Sequence, residues 1–304
     1  MIANFFKKTK PINSFFIGVL FLVYYILFLI YIDTTPFSFL ELLKKSGLLL
    51  LFLTTFFLVR FINRKNYLSG QSAYVLLFLA MLFGVFPETM NVGNVFISHL
   101  ALLLGFRRLY SVKSNKLVKQ KIFDFGFWVG VASLFYMWSS IFLFLILVAI
   151  IKLKKNEIRN FFIPIVGFIT PLFLVFMYYF MTNGTDEFFN KLIFEYNIDS
   201  LPPTILFSIS VLSLLSITAI IYISIKINTL SHELKPVWIQ VVFHLLLAII
   251  VFSVAPIKDN TSLLFLFLPL SIILANFVEL IIKKIRKEVI VIGILLISFW
   301  RYFL

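Results

Sequence analysis

"SVAPIKDNTSLLFLFLPLSIILANFVELIIKKIRK", residues 253–287, sets a Lys-Asp pair and a proline into an apolar run and closes on a basic cluster. A membrane crossing accounts for all of it. Residues 262–282 supply the roughly 20 apolar positions a straight helix needs to traverse a bilayer, and the polar groups on either side are where the chain meets water. The whole chain carries the same signature. Its 304 residues are 62% hydrophobic and 13% charged, with a mean hydropathy of +1.06, whereas soluble domains are about 45–50% apolar and about 25% charged.

With apolar residues nearly everywhere, helical periodicity loses its diagnostic value, and span length and charge placement do the parsing. Cutting at polar clusters predicts eleven spans, near 15–32, 46–62, 71–86, 94–110, 122–138, 140–153, 160–182, 204–226, 237–255, 262–282 and 288–304. The fold expected is an all-α polytopic helical bundle in one transmembrane domain, residues 1–304. Residues 15–32 are too long for the apolar region of a signal peptide and no small-residue cleavage site follows, so they stay as the first span. The absence of cysteine excludes disulfides and thiolate metal sites.

Basic residues orient the bundle. If Lys7, Lys8 and Lys10 are cytoplasmic, the loops on that side hold 22 of the 27 Lys and Arg, which predicts the N-terminus inside and the C-terminus outside. The net charge of +14 then reads as cationic loops against the anionic inner leaflet. Nucleic-acid binding is disfavoured, because these loops are short and have little aromatic interleaving. The acids lie the other way: 8 of the 13 Asp and Glu fall in the outer loops, where any chemistry is expected.

In the first outer loop, "YIDTTPFSFLELLKK", Asp33 stands at the membrane boundary, either capping its span or working as a base in a partly dry cleft. After it, Pro36 and the apolar residues to Leu43 predict a short interfacial helix near 36–45. The second outer loop, "GVFPETMNVGN", is a tight hairpin presenting Glu88 and Asn91 on the same side, as a solvated turn or as half of a paired-carboxylate site. The fifth span, "DFGFWVGVASLFYMWSS", combines Gly126, Gly130, Ala132 and Ser133 for close helix packing with Tyr136 and Trp138, which belong either to an interfacial aromatic belt or to contact with a lipid-linked substrate. In the fourth outer loop, an amphipathic helix near 186–197 reads as a lid or a docking surface.

His99, His232 and His244 have no metal-ligand spacing, so no metal site is expected and the two inside spans read as hydrogen-bonded packing residues. No P-loop, GxGxxG or GxSxG pattern is present, which disfavours a nucleotide-driven pump.

The order of these features resembles the polytopic C-type (GT-C-like) glycosyltransferase superfamily. Shared with it are an N-in first span, an acidic first outer loop, a second acidic hairpin between spans three and four, a Gly-rich fifth span turning into a short sixth, and a late aromatic-rich span containing a proline. "DFGFWVGVASLFYMWSSIFLFLILVAIIKLKKNEIRNFFIPIVGFITPLFLVF" is similar in layout to the family's middle block, and "PIKDNTSLLFLFLPLSIILANFVEL" to its later segment. The Phe, Ile, Lys and Asn bias is also similar to that of uncharacterised inner-membrane families of Bacteroidota. The resemblance implies a cytoplasmic (inner) membrane protein that takes a sugar from a polyprenyl-phosphate donor at the outer face. Asp33 and Glu88 would be catalytic, Lys258 would lie near the lipid phosphate beside Asp259, Pro269 would kink the span beneath, and Tyr136, Trp138 and Asn91 would contact substrate. No cofactor is needed, because the lipid phosphate is already a leaving group, although Glu88 offers a ligand to a divalent ion. Two other readings stay open: a non-catalytic subunit holding an envelope protein partner, and a lipid or small-molecule transporter.

Overall fold

The computed structural model describes all residues except 1, 34–37, 115, 154–156, 195–201, 231–233, 255–259 and 304. The chain runs through α1 (Ile2–Phe5), α2 (Pro11–Tyr31), α3 (Phe39–Asn66), α4 (Tyr74–Val85), α5 (Asn94–Tyr110), α6 (Val118–Phe135), α7 (Phe144–Lys152), α8 (Ile158–Met181), α9 (Thr185–Lys191), α10 (Pro203–Leu230), α11 (Leu234–Val254), α12 (Leu264–Leu280) and α13 (Lys284–Trp300). Short 3-10 turns sit at Pro87–Met90, Ser111–Lys113, Met137–Leu143 and Thr261–Leu263. There is no strand among the described residues, so the all-α expectation holds.

Each of the eleven predicted spans falls on a helix, but they are not equivalent. Among the described residues, seven helical stretches are long and apolar enough to cross a bilayer: Pro11–Tyr31, Phe39–Asn66, Asn94–Lys113, Ile158–Met181, Pro203–Ile227, Lys235–Val254 and Thr261–Leu280. The chain is therefore a multi-pass membrane protein. Tyr74–Val85 and Met137–Lys152 are shorter apolar helices. The interfacial helix expected near 36–45 is not a separate element, since residues 39–45 are the opening turns of α3. Ser38 caps α3 by accepting the Glu41 N–H at 3.2 Å, and the helix then continues without a break through its Leu-rich stretch. Of the amphipathic helix expected near 186–197, the structure has the seven-residue α9, and residues 195–197 of that expectation lie outside the described residues.

The chain divides into two compact units: Met1–Asn91 with Ser200–Ser231 and Asp259–Leu304, and Val92–Asp199 with His232–Lys258. The first unit is built around α4, "YVLLFLAMLFGV". This helix is apolar on every side and buried along its whole length, packed by α2, α3, α12 and α13. Phe83 of α4 meets Phe21 at 5.4 Å, Phe52 at 5.5 Å and Phe267 at 4.9 Å between ring centroids. Gly84 is where the Tyr24 ring passes, and a Cβ there would lie 2.7 Å from it.

In the second unit α6 packs on α5 and α8. The predicted close packing at Gly126 and Gly130 is observed: a Cβ on Gly126 would lie 2.2 Å from the Pro164 carbonyl oxygen, and one on Gly130 would lie 2.4 Å from that of Phe168. Gly167 of α8 reciprocates against the Phe123 carbonyl oxygen at 2.4 Å. Small residues let the two backbones touch, the device membrane helices use where lipid supplies no hydrophobic drive between them. The opposite side of α8 is exposed apolar surface, including Phe162, Ile169, Phe173 and Leu174, as a lipid-facing helix requires. His244 is a buried packing residue, as expected, with Tyr110 Oη 2.9 Å from its Nδ1 and the Phe106 ring 4.1 Å from its own. His232 lies outside the described residues.

Candidate functional site

The first unit has two chemically different ends. At one end the Tyr74 hydroxyl donates to the Ala3 carbonyl at 2.6 Å and the Ala3 N–H donates to Glu288 at 3.1 Å, so the starts of α4 and α13 lie together beside α1. At the other, Arg301 just beyond α13 pairs with Glu88 just beyond α4, and the Tyr31 and Phe303 rings are 6.2 Å apart. Hence α2, α4 and α13 run in the same direction, and Asp33, Glu88 and Arg301 all finish at one end.

Asp33 ends α2, its N–H donating to the Phe28 carbonyl at 3.0 Å. Its carboxylate receives Lys45 Nζ at 2.8 Å, and the Lys45 and Asp33 side chains are only 9% and 13% exposed. The Tyr25 hydroxyl donates to the Lys45 carbonyl at 2.8 Å, fixing the backbone that presents the lysine. Successive residues on a helix point about 100° apart, so Lys44 turns outward to Glu41 at 2.7 Å while Lys45 turns inward to α2.

Glu88 lies in the 3-10 turn that Pro87 opens and that the Asn91 N–H closes on the Glu88 carbonyl at 3.1 Å. Its Oε1 accepts from Arg301 Nη2, with 14% and 17% of the Arg301 and Glu88 side chains exposed. Glu88 Oε2 and Arg301 Nε are buried and make no hydrogen bond among the described residues. Next in the chain, the Tyr302 hydroxyl donates to the Tyr24 carbonyl at 3.2 Å, and the two rings stack at 6.2 Å. The Tyr24 hydroxyl in turn lies 2.5 Å from Ser298 Oγ.

Each expected carboxylate is thus held by its own cation rather than by the other. Lys45 and Arg301 escaped the reading of the sequence, although a signal existed: they are two of only five cations in the loops that the charge pattern predicts to face outward. Asn91 is exposed at the same end. Tyr136 and Trp138 belong to the second unit, at the turn between α6 and the 3-10 stretch Met137–Leu143. There Trp138 packs edge-on against Phe194 at 4.9 Å, and Phe188 of α9 stands 5.3 Å from Phe176 of α8. Lys258 and Asp259 lie outside the described residues, and Pro269 sits buried within an α12 that continues past it.

A resident divalent ion does not fit this arrangement. Magnesium takes one or two free carboxylates together with substrate phosphates, whereas Asp33 and Glu88 each already face a cation, and no group of three or more His, Asp or Glu among the described residues converges on a point.

The four described acids at the basic ends of the two units are engaged as well. Glu279 accepts from the Gly70 N–H at 2.8 Å and from the Ser72 hydroxyl, and Glu288 accepts from the Ala3 N–H. Asp124 pairs with Arg108 at 3.0 Å, and Glu157 with Lys119 at 3.1 Å.

Compared with known proteins, the chain matches one family model over residues 1–304, that of DUF6427, a family of unknown function, and it belongs to that family. No curated protein and no solved structure matches it.

Proposed function

We propose that this member of the DUF6427 family is an inner-membrane, GT-C-like protein, N-terminus inside, that acts on a polyprenyl-phosphate-linked sugar at the outer face, where Asp33 and Glu88 stand. The observation carrying this reading is the pair of partly buried carboxylate–cation contacts at one end of the first unit, Asp33 with Lys45 and Glu88 with Arg301. A lipid phosphate is an anion that competes with a carboxylate for the same cation. As the donor phosphate takes hydrogen bonds from Lys45 or Arg301, the carboxylate behind it loses its partner and gains proton affinity. Asp33 then accepts the proton of an acceptor hydroxyl whose oxygen attacks the anomeric carbon. The bond from that carbon to the phosphate oxygen breaks, and polyprenyl phosphate leaves with the electron pair.

A second reading follows from the same contacts. Carboxylates already satisfied by cations serve equally to lock helix ends in a non-catalytic subunit that holds an envelope partner. Purified protein in liposomes, given a labelled polyprenyl-phosphate sugar, separates the two. Because Asp33→Asn alone takes from Lys45 the carboxylate it faces, the informative variant is Asp33→Asn with Lys45→Gln, which keeps the contact neutral. Transfer by the native chain that this variant loses while remaining folded supports the enzyme. Transfer that the variant retains removes Asp33 from catalysis, and absence of transfer with a stoichiometric partner co-purifying in mild detergent supports the subunit.

A further inference from the structure

At the basic end of the first unit, α10, α12 and α13 enclose a groove of about 630 Å3. Leu215, Tyr222, Phe277 and Val289 line it together with Lys283 and Arg286. Its volume falls within the range of about 300–1,000 Å3 typical of small-molecule sites. The back of the groove is fixed. Tyr222 packs edge-on against Phe277 at 5.5 Å, and Lys226 donates to the Leu280 carbonyl at 2.9 Å while lying 4.7 Å above the Tyr222 ring. A three-residue connection, Ile281–Lys283, turns α12 back into α13, and this brings Lys283 and Arg286 into the lining of the groove.

The lining of the groove asks for two different things. Ile285 and Val289, at 73% and 64% exposed, offer apolar surface that hydrocarbon satisfies and water does not. Lys283 and Arg286 are exposed, and among the described residues their side chains make neither an ion pair nor a hydrogen bond. Two unpaired cations in the lining of an apolar trough in a bilayer-spanning unit are complementary to an amphiphile with a negative head.

We propose that this groove binds a phospholipid with an anionic headgroup, its acyl chain lying along Tyr222, Phe277 and Val289 and its headgroup paired with Lys283 and Arg286. The site is separate from the one at Asp33 and Glu88. Arg301 follows the far end of α13, and the 17 residues of that helix put about 25 Å between the two.

The test is native mass spectrometry of the full-length protein released from lipid nanodiscs containing equal amounts of phosphatidylglycerol and phosphatidylcholine. Each cation near the headgroup plane gives about a five-fold effect, so the native chain is expected to retain phosphatidylglycerol over phosphatidylcholine by roughly 30-fold. Lys283→Gln with Arg286→Gln should erase that preference. Val289→Trp, which fills the groove and keeps both charges, should lower retention of the bound lipid. The charge-matched control Lys116→Gln with Lys152→Gln removes two exposed cations that do not line the groove and should leave retention unchanged. Equal retention of the two lipids, loss in the control as large as in the groove variant, undiminished retention by Val289→Trp, or displacement of the lipid by inorganic phosphate would each overturn the assignment.

Discussion

Lys45 sits one residue after Lys44, yet the two meet opposite fates. Lys44 is an exposed side chain worth little to stability, while Lys45 is buried against Asp33. Removing one member of a buried pair strands the other as an uncompensated charge, which costs about 3–5 kcal/mol, whereas neutralising both costs far less. Asp33→Asn alone should therefore lower the thermal unfolding midpoint clearly, and adding Lys45→Gln should recover more than half of the loss; strictly additive effects in this cycle would mean that the contact is not formed. At the other pair, Arg301→Gln leaves Glu88 without its cation and should destabilise more than Tyr302→Phe, which removes a single hydrogen bond worth about 1 kcal/mol. Equal effects would refute the ranking. The positions of Asp33 and Glu88 were legible because they interrupt apolar runs. Their partners were not, since Arg301 lies 213 positions from Glu88 and no local spacing connects them.

Between elements, the α6–α8 contact makes the sharpest demand. Gly126→Ala places a methyl where the Pro164 carbonyl already stands, and two backbones cannot give way as a side chain would. The cost expected is about 1–3 kcal/mol. Gly293 of α13 has nothing within 4 Å of the same added atom, so Gly293→Ala should stabilise by up to about 1 kcal/mol through helix propensity alone. Unfolding of both variants in detergent checks the contrast, and a Gly126→Ala protein as stable as the native chain would deny the close approach. Small residues spaced four apart in an apolar segment announced this contact beforehand. The start of α3 was misread because Lys44 and Lys45 looked like a polar break. One pairs with Glu41 on the helix surface and the other turns inward, so the helix passes through them.

Across the whole molecule, the apolar, membrane-crossing character was the most readable feature and the crossing number the least. Span length separates seven helices that can traverse a bilayer alone from shorter ones such as α4, whose 12 residues are wholly buried among neighbours. A buried apolar helix and a membrane-crossing one share a composition and differ in what surrounds them, which a single sequence does not state. The division into two units was equally hidden, since each is assembled from segments distant in the chain. Chemistry at the outer face requires the end of the first unit that carries Asp33, Glu88 and Arg301 to face outward and its basic end to face the cytoplasm. The chain contains no cysteine, so single cysteines introduced at the exposed positions Asn91 and Gln71 report the two ends without background. In intact cells treated with a membrane-impermeant maleimide, Asn91→Cys should be labelled and Gln71→Cys protected until the membrane is opened; the reverse pattern would contradict the orientation and, with it, the outer-face chemistry.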